Sequence, residues 1–348
     1  MKHPKNYSFS KNLILGISGS SLTAEEKHWF RQNETFSIIL YQRNIVDPDQ
    51  LASLIQDIQS IHTENHGRPT LLSIDMEGGP LHELPPHQFR YFPSGPELLA
   101  NQPEETSLYR AGYELGTYLR ELGFHINYAP VLDVLTHPQN ELFRNRSWGN
   151  KPQDIIRYTQ PYIRGMQDAG ILAVAKHFPG HGHTQVDSHH TLPTDLRSVP
   201  EIESIDLPPF IAAYAAGVRL FMTAHVLYPA LDPKLPATLS PTILTHWAQN
   251  KWQLPGFFIA DDLDMGALRH FGNSEDILRK SVEAGGHFFM YCHRTTPPWT
   301  ELEFMNQFLN NRAQNYILNL QQAYEEMTSL LFASRGKVPQ RYQWKPSQ

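Results

Sequence analysis

Residues 175–193 read AKHFPGHGHTQVDSHHTLP, placing five histidines, one lysine and one aspartate in nineteen positions directly after the apolar run GILAV. Such a density of titratable groups at the end of a buried strand suits a metal site, an acid/base site or a polar loop without chemistry. Asp187 and His189 are two residues apart, so in an extended segment they project to the same side. The carboxylate can then orient the imidazole, favour its protonated form and fix its tautomer. His181, His183 and His190 carry no such spacing and read equally well as loop histidines with solvent or backbone partners. A metal reading would use His181-x-His183 with Asp187, His189 or His225, since imidazoles and carboxylates suit divalent ions. Against it, the first strand-like run holds no His-x-His, and the chain has no His-Glu-x-x-His stretch. The stretch FFIADDLDMGA supplies a second feature, the adjacent pair Asp261 and Asp262. Only one of two neighbours on a strand can face a common site. A carboxylate at a strand end opposite an acid/base group is what a retaining glycosidase needs, one to attack the anomeric carbon and the other to protonate the leaving oxygen.

Groups so far apart in sequence need a scaffold that brings them together. Eight short apolar runs have strand length and composition, at 12–19, 36–41, 69–75, 124–131, 171–178, 219–226, 256–262 and 286–293. Between them lie amphipathic stretches such as Leu51, Leu54, Ile55, Ile58 and Ile61, or Leu108, Ala111, Leu115, Leu119 and Leu122. Near-continuous apolar strands alternating with helices mean a parallel sheet covered on its faces, and eight units is the number that closes a (β/α)₈ barrel. An open doubly wound sheet is the alternative. The runs end in Asp75 and Glu77, Asp133, Lys176 and His177, His225, Asp261 and Asp262, and His293. In a barrel these endings converge on one mouth. No linker or repeat marks a second unit, so we expect one α/β domain over 1–348, with a core at about 10–335, a last helix at about 300–333 and a polar tail at 336–348.

Composition removes several function classes. The 348 residues are 40% hydrophobic and 18% charged, which describes a folded globular chain. A net charge of -6 without a long basic run leaves no electrostatic footprint for nucleic acid or an anionic membrane. The single cysteine, Cys292, excludes an internal disulfide and fits a reducing compartment. No apolar segment is long enough to span a bilayer and the N-terminus lacks a signal-like core, so the expected location is the cytoplasm.

The motifs ILYQRNI, SIDMEGGP, NYAPVLDV, NRSWG, AKHFPGHGHTQVDSHHTLP, FMTAHVLYPALDP, PATLSPTIL and IADDLDMGAL occur in an order that resembles glycoside hydrolase family 3, over about residues 10–295. The match is to its single-barrel bacterial β-N-acetylhexosaminidases of cell-wall recycling. The resemblance implies a (β/α)₈ barrel and a two-step retaining mechanism, with Asp261 as nucleophile and His189 as acid/base on a mobile loop after the fifth strand, tuned by Asp187. By the same match Asp75, Arg146, Lys176 and His177 are sugar ligands. The implied substrate is a terminal β-linked N-acetylglucosamine on peptidoglycan fragments, with no cofactor and no metal. The same chemistry on another sugar, and a non-catalytic sugar-binding relative, are the alternatives. The chain departs from the family pattern at Glu83, where a sugar-contacting arginine is usual, and at Ala260, Asp264, Gly286 and His287. Charged side chains favour solvent, so Glu83 is expected to lie there rather than pair with Arg146 or Lys176.

Overall fold

The computed structural model describes residues 7–333 apart from 138, 295 and 313, so the expected polar tail at 336–348 lies outside the described residues. Each anticipated run contains a strand: β1 (Leu13–Gly16), β2 (Ser37–Leu40), β3 (Leu71–Ile74), and, after a short hairpin of β4 (Met76–Gly78) and β5 (Leu81–His82), β6 (Ile126–Asn127), β7 (Leu172–Phe178), β8 (Leu220–Thr223), β9 (Phe257–Ala260) and β10 (Phe288–Tyr291). All but the hairpin pair in parallel into a closed ring, in the order β1-β10-β9-β8-β7-β6-β3-β2. The fold is a (β/α)₈ barrel, and the open-sheet alternative is excluded.

Alternation along each strand sorts the apolar side chains into two cores. Ile14, Ile39, Leu71, Val174, Leu220, Met222, Ile259, Phe288 and Met290 belong to an inner cluster. Their immediate neighbours, among them Leu13, Leu15, Ile38, Leu40, Leu72, Ala173, Phe221, Phe258 and Phe289, belong to an outer cluster shared with the helices. This is the period-two division expected when a closed parallel sheet is buried on both faces. Continuing the inner row by two residues carries Ile259 to Asp261 and Val174 to Lys176, so the same alternation that fills the barrel aims these polar groups into its mouth.

The last helical stretch, expected at about 300–333, is helical over Trp299–Arg312 and Gln314–Ala333. The second lays Ala323, Tyr324, Met327 and Leu331, at helical spacing, on the inner cluster beside Phe36. Among the described residues no helix is long and apolar enough to cross a membrane.

Candidate active site

A cavity of about 480 Å³ opens at the mouth, lined by residues that include Asp75, Arg146, Lys176, His177, His189 and Asp261. Six of the seven expected site residues therefore share one pocket of small-molecule size. The seventh, Asp187, stands behind His189, its Oδ1 2.7 Å from the ring Nδ1.

One end of the pocket is a buried charge cluster. Lys176, 1% exposed, places Nζ 2.6 Å from Asp75 and 2.6 Å from Glu77. Glu77 also accepts two bonds from Arg146, at 2.9 Å from Nε and 2.7 Å from Nη2, a bidentate geometry that lysine cannot make. Burial opposes ionisation of Glu77, but Arg146 and then Lys176 outweigh it and hold the carboxyl at about 2. For Asp75 burial prevails over Lys176, and with the repulsion of Glu77 its carboxyl is raised. Burial would lower the Lys176 ammonium, yet Asp75 and Glu77 together raise it. Glu77 thus braces the two cations, while Asp75 and Arg146 also border the open pocket. Sequence reasoning placed Glu77 at a strand end without giving it a role. The hairpin of β4 and β5 was the missing information, because it folds Glu77 back under Arg146.

A second buried pair sets the root of the loop. Asp133, fully buried, accepts from His177 Nδ1 at 2.7 Å and from the backbone N–H of His181 at 2.6 Å. Burial would raise Asp133, but the His177 ring outweighs it and keeps the carboxyl below its ordinary value. His181 is buried too, which pushes its imidazole down to about 4, and its ring nitrogens meet Thr184 and Ser188. His183 Nδ1 meets Thr136 at 2.8 Å. The two histidines of the metal reading thus have hydroxyl partners, and no group of three or more His, Cys, Asp or Glu among the described residues is arranged to hold a metal ion.

Beyond this root the loop crosses the mouth. His189 is 55% exposed and Asp187 38%, and Asp187 also accepts the His189 backbone N–H at 2.9 Å. Burial alone would raise Asp187, but these bonds to the His189 amide and ring leave it lowered. Both adjacent aspartates border the pocket, but they differ in their partners. Asp261 enters the pocket; burial would raise its carboxyl, but His225, His177, the Asp262 amide and His189 bring it below the usual value. Asp262 is 4% exposed and holds His293 Nδ1 at 2.8 Å and the Asp264 amide at 3.1 Å. His225 is fixed by Thr238 and the Asp262 carbonyl.

Glu83 is a correction. It lies on the pocket wall rather than in solvent, and its Oε2 accepts from the Gln42 backbone N–H at 2.7 Å. Gln42 opens a short 3₁₀ turn after β2, whose first amides have no partner within the turn, and the hairpin returns Glu83 to meet one of them. Arg146 and Lys176 are already engaged by Glu77 and Asp75, so neither pairing considered for Glu83 forms. Burial raises the Glu83 carboxyl, against the pull of the Gln42 amide.

Residues 11–327 match the family described as Glycosyl hydrolase family 3 N terminal domain. A β-hexosaminidase of Pseudomonas aeruginosa is 33% identical over 282 residues, 81% of this chain and 82% of that protein. Among solved structures, a family 3 β-N-acetylglucosaminidase from a Paenibacillus species superposes with a TM-score of 0.89 at 30% identity, over 96% of this chain and 64% of the other. NagZ from Neisseria gonorrhoeae in complex with N-trifluoroacetyl-D-glucosamine superposes with a TM-score of 0.76 at 28% identity, over 93% and 95%. With the barrel, the strand-end carboxylate and the histidine loop already in place, this match over most of the sequence means that the chain belongs to glycosyl hydrolase family 3.

Proposed function

We propose that the protein is a retaining exo-β-N-acetylglucosaminidase. The observation that carries this reading is the convergence of two chemistries on one pocket, a partly desolvated Asp261 carboxylate held below its usual pKa and an imidazole on a loop oriented by Asp187. In the first step an Asp261 oxygen attacks the anomeric carbon as the glycosidic C–O bond breaks, and His189 gives the departing oxygen its Nε2 proton. Asp187 holds the Nδ1 proton throughout, which leaves Nε2 as the exchanging nitrogen. In the second step neutral His189 takes a proton from water as the water oxygen attacks the same carbon and expels Asp261. Asp75, Arg146, Lys176 and His177 grip the sugar hydroxyls, with Glu77 and Asp133 as their braces. No metal or cofactor takes part in either step.

The N-acetylglucosamine preference is supported by the activities of the relatives named above, and the resemblance of the motifs extends it to peptidoglycan fragments in the cytoplasm, acted on by one barrel domain. Incubation with p-nitrophenyl β-N-acetylglucosaminide and the matching β-glucoside tests the sugar, and proton NMR of the first-formed anomer tests the mechanism. Preferred cleavage of the first substrate with initial β-product is expected. Initial α-product, or turnover of the glucoside alone, would overturn the reading. A muropeptide bearing terminal N-acetylglucosamine, compared with chitobiose, tests the aglycone.

A further inference from the structure

The catalytic loop does not reach Asp261 by its own contacts alone. Its root is fixed by Asp133, and Gly182 lies so close to Val134 that a Cβ there would fall 2.1 Å from the Val134 carbonyl oxygen. The distal end, Asp187 to His190, rests on the segment that follows β9. The Gly266 backbone N–H donates to the His189 carbonyl at 3.0 Å, and the Ala267 N–H donates to the Ser188 carbonyl at 3.2 Å. The approach is too close for a side chain. A Cβ on Gly266 would stand 2.6 Å from the His189 oxygen and 2.7 Å from the His190 oxygen, both backbone atoms that cannot rotate away.

The segment under the loop is itself held. Arg294 donates to Asp264 from Nε at 2.5 Å and from Nη2 at 2.8 Å, and reaches Glu301 at 2.6 Å and Ser274 at 2.7 Å. Asp264 is one of the departures from the family pattern, and this bidentate pairing is what it does here. It stands two residues before Gly266, and Met265 N–H closes the turn onto the Asp262 carbonyl at 3.1 Å.

We infer that Gly266 is a positioning residue of the reaction: the bare backbone of Gly266 and Ala267 is the seat that sets the height and register of His189 beside Asp261, and the Asp264–Arg294 brace keeps that seat in place. The inference rests on the reading of His189 as acid/base. A Cβ at Gly266 must lift the loop or push the seat away, and a displacement near 1 Å at an acid/base group is enough for a loss on the order of 10²-fold. That loss has a signature. Misplacing the proton donor harms substrates whose leaving oxygen needs a proton and spares those whose leaving group departs unaided.

The test measures kcat/KM for aryl β-N-acetylglucosaminides from 2,4-dinitrophenyl to phenyl, in the wild type, His189→Ala, Gly266→Ala and Arg294→Lys, with hydrogen exchange followed over residues 183–191. Gly266→Ala is expected to keep near wild-type rates on the dinitrophenyl substrate, to lose on the order of 10²-fold on the phenyl one, and to exchange faster in the loop. Arg294→Lys, which loses the fork without touching the loop, is expected to give the same pattern more mildly, and it decides the matter should Gly266→Ala not fold. A steep leaving-group dependence in His189→Ala beside a flat one in both other variants would overturn the inference alone. Equal impairment of His189→Ala on all leaving groups would overturn the acid/base reading and the inference with it.

Discussion

Replacing Glu77 by Gln keeps the size of the side chain and removes the charge that two buried cations share. Lys176 is 1% exposed, and the side chain of Arg146 is 12% exposed, so water cannot take over that role. The magnitude follows from the pKa. Moving a carboxyl from 4.5 to about 2 on folding at about 1.4 kcal/mol per unit corresponds to about 3 kcal/mol. Removing one partner of a buried ion pair independently suggests roughly 3–5 kcal/mol. Because the folded-state value lies below the unfolded one, this contribution is complete above pH 4.5 and is lost as pH falls toward 2. Urea unfolding of wild type and Glu77→Gln at pH 7 should therefore differ by about 3 kcal/mol, and the gap should narrow as the pH is taken below 4.5. The KM for an N-acetylglucosaminide should rise as well, since Arg146 and Lys176 lose their brace. A penalty below about 1 kcal/mol at pH 7, or a gap that does not change with pH, would refute the argument that Glu77 neutralises the cluster.

Asp261→Ala should abolish nearly all turnover while leaving unfolding close to wild type, whereas Asp262→Ala, which strands His293 and the Asp264 amide, should lower stability by about 1–3 kcal/mol; equal loss of turnover in two stable variants would undo the assignment of nucleophile. Exhaustive chelation should leave the rate unchanged, because His181 and His183 face hydroxyl groups, and activity that vanished with chelator and returned with zinc would contradict that. Glu83→Gln retains an oxygen for the Gln42 amide and should barely change stability, but on the pocket wall its lost charge should raise KM several-fold at unchanged kcat; an unaltered KM would mean that the sugar does not meet this residue.

The barrel was legible because its signal is redundant. Eight apolar runs with helical stretches between them leave few topologies, and an error in one run, such as the 124–131 segment of which only Ile126–Asn127 is strand, does not alter the count. The polar groups at the run ends were legible for the same reason, since a barrel gathers them whatever the lengths of its connections. A three-residue strand and a two-residue strand, by contrast, lie below the length at which alternation can be recognised, and the β4–β5 hairpin went unseen. Two residues depend on it: Glu77 within it, which the sequence leaves without a role, and Glu83 directly after it, which the average preference of charged side chains assigns to solvent.

The choice between Asp261 and Asp262 shows where local pattern stops being sufficient. Alternate side chains of a strand face opposite ways, but β9 is apolar on both faces, so its residues carry no mark of inside or outside. The mark comes from the partner strands. Ile259 is registered with Met222 of β8 and Phe288 of β10, and all three join the inner cluster, while Ala260, in register with Thr223 and Phe289, turns toward the helices. Two residues on from Ile259 is Asp261, so it is Asp261, the proposed nucleophile, that continues the row filling the barrel. That information is a property of closure, distributed over three strands that are far apart in sequence. For the loop the reverse holds. The Asp187-x-His189 spacing is local and was readable at once, but what holds the dyad over Asp261 is an absence, the missing side chain of Gly266, whose meaning appears only when the His189 and His190 carbonyls are seen to lie where a Cβ would be.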